Sequence, residues 1–203
     1  MDGILNKLEI KCHKNGKRQR WMKICVIIEE VDNKFKICIE RMGGKMDITF
    51  QTEEGKFNYR VCAIMIYNEK ILAMHDERSP YFYLPGGRVR LQETAEHAVL
   101  REIKEELEIE AEIIRPLWLN QSFFVEDVNH EKYHEICIYF LVDISKTNLL
   151  EKGERFTLLE GEHTHVFEWL DFERLKSEYI YPLFIKDKIF DLPQNFTILT
   201  EYE

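Results

Sequence analysis

The 203-residue sequence has no apolar run that approaches the roughly 18–20 residues of a membrane span. Its first thirty residues also lack the hydrophobic core of a secretory signal. The expectation is a soluble, cytoplasmic protein without a membrane partner. The five cysteines, Cys12, Cys25, Cys38, Cys62 and Cys137, are odd in number and form no C-x-x-C pair, which excludes a zinc knuckle or a thioredoxin-like motif and leaves reduced, buried thiols. Glycine (9) and proline (5) are sparse and there is no repeat or low-complexity tract, so a fibrous or disordered chain is excluded. Positive charge is in deficit: 28 Lys and Arg face 37 Asp and Glu, a net charge of −9. That balance argues against nucleic acid as a partner, yet allows phosphate binding where a metal ion or a few arginines line the site.

What is present divides unevenly. Residues 1–45 hold 11 basic and 6 acidic residues, and residues 46–203 hold 17 and 31. Two readings of the N-terminal extension, residues 1–45, stay open. Lys23–Ile28 and Phe35–Ile39 are β-prone runs flanking Val31-Asp-Asn-Lys34, a hairpin pattern. Alternatively, Gly43-Gly44-Lys45 ahead of Met46 matches a purine-rich ribosome-binding stretch, which would make Met46 the start and leave residues 1–45 untranslated. An arm governing homodimer formation is a further reading of the same segment.

From residue 46 to 203 the pattern is mixed α and β. Tyr59–Tyr67 and Lys70–His75 are expected to pair around Asn68-Glu69, and Ile136–Ile144 to form a strand. Thr94–Leu107 is strongly helical, and Asp171–Tyr179 and Pro182–Phe190 are expected as further helices. On the first of these, Val99, Leu100, Ile103 and Leu107 share one sector, while Glu102, Glu105 and Glu106, at i, i+3 and i+4, gather in the adjacent arc. Clustered carboxylates repel, and a hard divalent cation with oxygen ligands relieves them. A solvated acidic face paired with Lys104 and Arg101 is the plain alternative. The preceding Leu84-Pro-Gly-Gly87 tips the balance, because consecutive glycines let the backbone turn tightly beside a metal or phosphate.

Gly87, five residues, Glu93, seven residues and Arg101-Glu-Ile-Lys-Glu-Glu-Leu-Glu-Ile109 resemble the Nudix box, G-x5-E-x7-R-E-U-x-E-E-x-G-U with U a bulky aliphatic. One defined position departs: Glu108 stands where the family has glycine, at the helix C-terminus. The resemblance implies an α+β fold, a Nudix-type α/β/α sandwich with a mixed β-sheet. It also implies a hydrolase that cleaves a nucleoside diphosphate linked to another group X, a small-molecule nucleotide substrate. By the same resemblance Glu102, Glu105, Glu106 and the Gly86 carbonyl would bind Mg²⁺ (or Mn²⁺), Arg101 would orient the glutamates and Glu93 would brace the loop. The general base stays open among Glu105, Glu106 and the loop residues Glu160 and Glu162, with Glu162 preferred. Arg78, Arg88 and Arg90 are candidates to meet phosphates, and Tyr81, with Phe123-Phe124, to stack a base. Tyr133-His134-Glu135 could line the pocket, and His163 and His165 are read as ordinary polar residues. A nucleotide-binding regulatory Nudix domain without hydrolysis is the rival, prompted by Glu108.

Overall fold

The computed structural model describes residues 23–31, 34–42, 46–161 and 163–202, with the backbone alone described before residue 46 and at Glu160. The chain divides into two compact units, Met1–Met46 and Asp47–Glu203. In the first, β1 (Lys23–Val31) pairs antiparallel with β2 (Lys34–Met42), in register from Lys23↔Met42 to Val31↔Lys34.

The second unit carries β3 (Thr49–Gln51), β4 (Lys56–Ile64), β5 (Ile66–Tyr67), β6 (Lys70–Asp76), β7 (Gly86–Arg88) and α1 (Ala95–Leu107), followed by β8 (Glu112–Val125), β9 (Lys132–Asp143), β10 (Arg155–Glu160) and β11 (His163–Asp171). The short helices α2 (Phe172–Leu175) and α3 (Ile185–Lys188) and the strand β12 (Thr197–Tyr202) complete it. The main sheet runs β12-β8-β9-β4-β3 with β7 also on β4; the β4–β9 and β12–β8 pairs are parallel and the rest antiparallel, so the sheet is mixed. A second, antiparallel sheet runs β10-β11-β6-β5.

The strand period of two explains the layers. Along β4, Val61 and Ala63 join the buried stripe of α1 (Ala98, Val99, Ile103, Leu107) and Phe140 of β9, whereas Cys62 and Ile64 pack with Trp118, Tyr139, Leu175 and Ile185. A strand buried on both faces has helices on both sides, which yields the expected α+β sandwich. Ile103 and Leu107 are fully buried, each contributing about 1.5–3 kcal/mol relative to exposure. Among the described residues no helix is long and apolar enough to cross a membrane.

Three expectations about elements need correction. The run Tyr59–Tyr67 does not pair with Lys70–His75 as a whole. Left-handed Asn68 (φ 49°) and Glu69 (φ 58°) form a turn, but only Ile66↔Ile71 and Tyr67↔Lys70 pair across it, because β4 lies parallel to β9 in the other sheet. The helices expected over 171–179 and 182–190 shrink to α2 and α3, four residues each, and neither has a side-chain N-cap. The strand expected at 136–144 begins earlier, at Lys132.

Candidate active site

The helix that carries the carboxylates is fixed at its start by Thr94, whose Oγ1 accepts the His97 N–H at 3.2 Å. The apolar stripe then anchors α1 to the sheet, and Glu102, Glu105 and Glu106 come to the side facing β7. Glu106 is 6% exposed and its Oε2 accepts the Gly86 N–H at 2.9 Å. Arg101 is the hub of the others. Its Nη1 donates to Glu102 Oε1 at 2.5 Å and to Glu105 Oε2 at 3.1 Å, so two carboxylates meet at one nitrogen. Its Nε and Nη2 grip both oxygens of Glu93 at 2.8 and 2.9 Å, and Nη2 also reaches the Arg88 carbonyl at 3.0 Å. Glu93 Oε2 in turn accepts the Arg90 N–H at 3.0 Å, tying loop to helix.

The electrostatics follow from these contacts. Hydrogen bonding to the Arg101 guanidinium, assisted by the Arg90 amide, pulls the Glu93 carboxyl down to about 2 despite its burial. Burial pushes the Glu102 carboxyl up, and Arg101 offsets that only in part, with Glu105 adding to the rise. A carboxylate in this condition gains from an added cation.

The glycines are required by close approach. Gly86 has φ 149°, and a Cβ there would lie 2.2 Å from the Val61 carbonyl oxygen. A Cβ on Gly87 would lie 2.3 Å from the Glu102 carboxyl group, so the absent side chain leaves a cradle for that carboxylate. Glu108 ends the helix in the left-handed conformation, φ 59° and ψ 28°, the geometry a glycine would adopt there without strain.

The other expected residues distribute as follows. Arg90 joins the cluster, its Nη2 donating to Glu105 Oε2 at 3.3 Å. Arg88 Nε donates to Asn58 Oδ1 at 3.2 Å. Arg78 is committed to the buried Asp76 two residues before it. Tyr81 lies apart from the carboxylates, in a ring cluster with Tyr179 and Tyr181, and donates to Glu126 at 3.0 Å; burial together with that contact pushes its hydroxyl up to about 12. Phe124 stacks on Tyr133, and Phe123 lies against His134 and Tyr202. His163 pairs with Glu77, and His165 is buried on β11 opposite Asp76. Glu162, preferred above as general base, lies outside the described residues, and so does the side chain of Glu160.

One group was missed from the sequence. Arg60 Nη2 donates to the Gly86 carbonyl at 3.5 Å, and Arg60 Nε stands 4.0 Å from Glu135 Oε2. The opposing peptide groups of Gly86 thus face Glu106 through N–H and Arg60 through C=O. Arg60 and Glu135 line a cavity of about 210 Å³ together with Tyr81, Phe124 and Tyr181. The available signal was an arginine immediately before the apolar run Val61–Met65, on the strand that pairs with the glycine turn.

The oxygen donors of Glu102, Glu105, Glu106 and Gly86 suit a hard divalent cation, and two of the carboxylates already meet at one positive group, the Arg101 Nη1, while Glu106 holds the Gly86 amide. Among the described residues, however, no three His, Cys, Asp or Glu side chains are gathered as a preformed cluster.

In this site a glycine turn is closed onto an acidic helix by an arginine hub, and residues 56–188 match the NUDIX domain model. The chain belongs to the Nudix family, as a hydrolase acting on pyrophosphate bonds. No curated protein matches the sequence. Among solved structures, the E. coli ORF135 protein is 25% identical, with 64% of this chain and 84% of that one covered and a TM-score of 0.41. A MutT protein from Bacillus halodurans is 12% identical (71% and 89% covered, TM-score 0.49), and an ADP-ribose pyrophosphatase from Streptococcus suis is 14% identical (71% and 98%, TM-score 0.45). At these scores the likenesses add nothing on substrate, and the family assignment rests on the domain match.

Proposed function

We propose that the chain is a divalent-cation-dependent pyrophosphohydrolase of a nucleotide or nucleotide derivative, with Mg²⁺ the natural ion and Mn²⁺ a substitute. The observation that carries this reading is the convergence of Glu102 and Glu105 on one cationic nitrogen, next to a third carboxylate held by the glycine turn. Glu102, Glu105, Glu106 and the Gly86 carbonyl would hold the ion. When bound it supplies neutralisation of diphosphate oxygens and a lowered pKa for attacking water.

The chain's own residues do the positioning. Glu106 fixes the Gly86 amide, and Gly87 leaves the space that Glu102 fills. Arg101 orients Glu102 and Glu105, and Glu93 holds Arg101 against the loop. Glu105, 39% exposed, is the carboxylate of this group open to water and is assigned as general base, accepting the proton as water oxygen bonds to phosphorus and the anhydride P–O bond breaks. Arg90, beside Glu105, meets substrate phosphate. Residues 46–203 constitute the hydrolase and residues 1–45 an extension to it.

The silent regulatory alternative was prompted by Glu108. Against it stands the backbone of Glu108, which leaves the helix as glycine would, so the substitution displaces none of the carboxylates. The test is product release from nucleoside triphosphates, nucleotide sugars, nucleotide alcohols and ADP-ribose with Mg²⁺ or Mn²⁺. Cleavage of one class, lost in Glu105→Gln, supports the proposal; nucleotide binding with no cleavage across the panel sinks it in favour of the regulatory domain.

A further inference from the structure

The cavity beside Gly86 is about 210 Å³, below the roughly 300–1,000 Å³ of sites that enclose a whole drug-sized ligand. It fits one ring system, with the rest of the ligand outside. Its walls include the rings of Tyr81, Phe124 and Tyr181, which suit a flat aromatic guest. Its position suits a nucleotide, because the Arg60 guanidinium that lines it also touches the Gly86 carbonyl of the acidic site.

The polar groups of the wall differ in what they have left to give. Glu126 accepts the Tyr81 hydroxyl through Oε1 and the Val128 and Asn129 amides through Oε2, so it is committed to its own loop. Asp127 is exposed in the same loop, and its Oδ2 is taken by the hydroxyls of Tyr179 and Tyr181. Arg60 and Glu135, by contrast, are largely buried in the wall, 27% and 15% exposed, and each keeps hydrogen-bonding capacity. Among the described residues the only hydrogen bond of the Arg60 side chain is the long one to Gly86, and its approach to Glu135, at 4.0 Å, is an ion pair left open. Glu135 Oε2 accepts the Asn58 Nδ2 at 3.2 Å, and among the described residues Oε1 has no hydrogen-bond partner. The Asn58 contact holds this carboxylate in place, since Asn58 is itself fixed by Thr49 and Arg88.

The wall therefore offers a guanidinium donor next to a carboxylate acceptor. We propose that this cavity is a base subsite selective for guanine, whose edge carries a carbonyl acceptor followed by two N–H donors. Arg60 donates to the carbonyl and Glu135 accepts from the ring N–H and the exocyclic amine. Adenine would place its bare ring nitrogen against the carboxylate, acceptor against acceptor, and its amine against the guanidinium, donor against donor, leaving buried polar groups unpaired. Hypoxanthine keeps the carbonyl and the ring N–H and lacks the amine. The inference rests on the hydrolytic reading only in supposing that the ligand is a nucleotide.

The test compares kcat/KM for guanosine, inosine and adenosine 5′-triphosphates with Mg²⁺, and binding of the three 5′-diphosphates by equilibrium dialysis in EDTA, for the native protein and Glu135→Gln. Guanosine is expected to exceed adenosine by at least about tenfold, carried in KM, with inosine between. In Glu135→Gln, which keeps a carbonyl for Asn58 and gains an N–H for the adenine ring nitrogen, the ratio is expected to fall about tenfold or more. Equal use of the three bases by the native protein, or a ratio unmoved in Glu135→Gln, overturns the subsite while leaving the hydrolase intact. Guanine-selective binding without turnover retains the subsite and removes the hydrolase. Absence of both binding and turnover overturns both.

Discussion

Glu108 offers a test of the helix geometry on which the acidic cluster depends. Its left-handed backbone, φ 59° and ψ 28°, costs a residue bearing Cβ about 1–2 kcal/mol. Replacement by glycine removes that strain, at a cost of about 0.4–1 kcal/mol through the greater freedom of glycine in the unfolded chain. The exposed carboxylate also sits at the negative end of the helix, where its removal contributes about 0.3 kcal/mol. Glu108→Gly should therefore stabilise the domain by about 0.3–2 kcal/mol, a rise in Tm of about 1–8 °C for a unit of this size. Thermal unfolding followed by circular dichroism measures it. Glu108→Ala separates the two causes, since alanine loses the charge and keeps the strain; it should lie within about 0.5 kcal/mol of the native protein. An unchanged or lowered Tm for the glycine variant, or an alanine variant raised as far, would refute the strain argument.

Other substitutions probe the cluster. Arg101→Ala leaves the carboxyls of Glu93 and Glu102, 5% and 12% exposed, without their cation, and should cost about 3–5 kcal/mol in urea unfolding. The two glycines should behave differently. Gly86→Ala meets the backbone of Val61 at positive φ and should unfold the domain or lower its Tm by many degrees, whereas Gly87→Ala meets only the movable Glu102 side chain and should keep the fold while losing most of kcat. Acid should weaken the loop–helix brace: because the Glu93 carboxyl lies below its ordinary value in the folded protein, its contribution is present above about pH 4.5 and fades as pH falls through about 2, a loss of about 3 kcal/mol that is absent in Glu93→Gln.

The site was legible where chemistry compresses into short spacing. The glycine turn, Thr94 cap and three glutamates lie within one loop and one helix, so the helical period alone brings the carboxylates together. Arg60 and Glu135 escaped because they become neighbours only when β4 and β9 pair in parallel, a contact between positions 75 residues apart. The hairpin at Asn68-Glu69 showed its turn but not its extent, since at Met65 the chain passes from β4 in the main sheet to β5 in the second. β8 was obscured by Pro116, and its pairing with β9 shifts register on either side of that residue, which breaks the alternation that marks a strand. The short helices α2 and α3 are set by the packing of Leu175 and Ile185 into the core rather than by caps or length.

The central claim, that the acidic cluster holds the ion on which hydrolysis depends, is tested most directly by following nucleotide hydrolysis as Mg²⁺ or Mn²⁺ is titrated into the native protein and Glu106→Gln. Glutamine keeps a carbonyl for the Gly86 amide and discards the charge. The account predicts saturable, metal-dependent turnover in the native protein and a loss of at least about a hundredfold in the variant with its Tm preserved. Turnover that is independent of added metal, or equal in the two proteins, would contradict it.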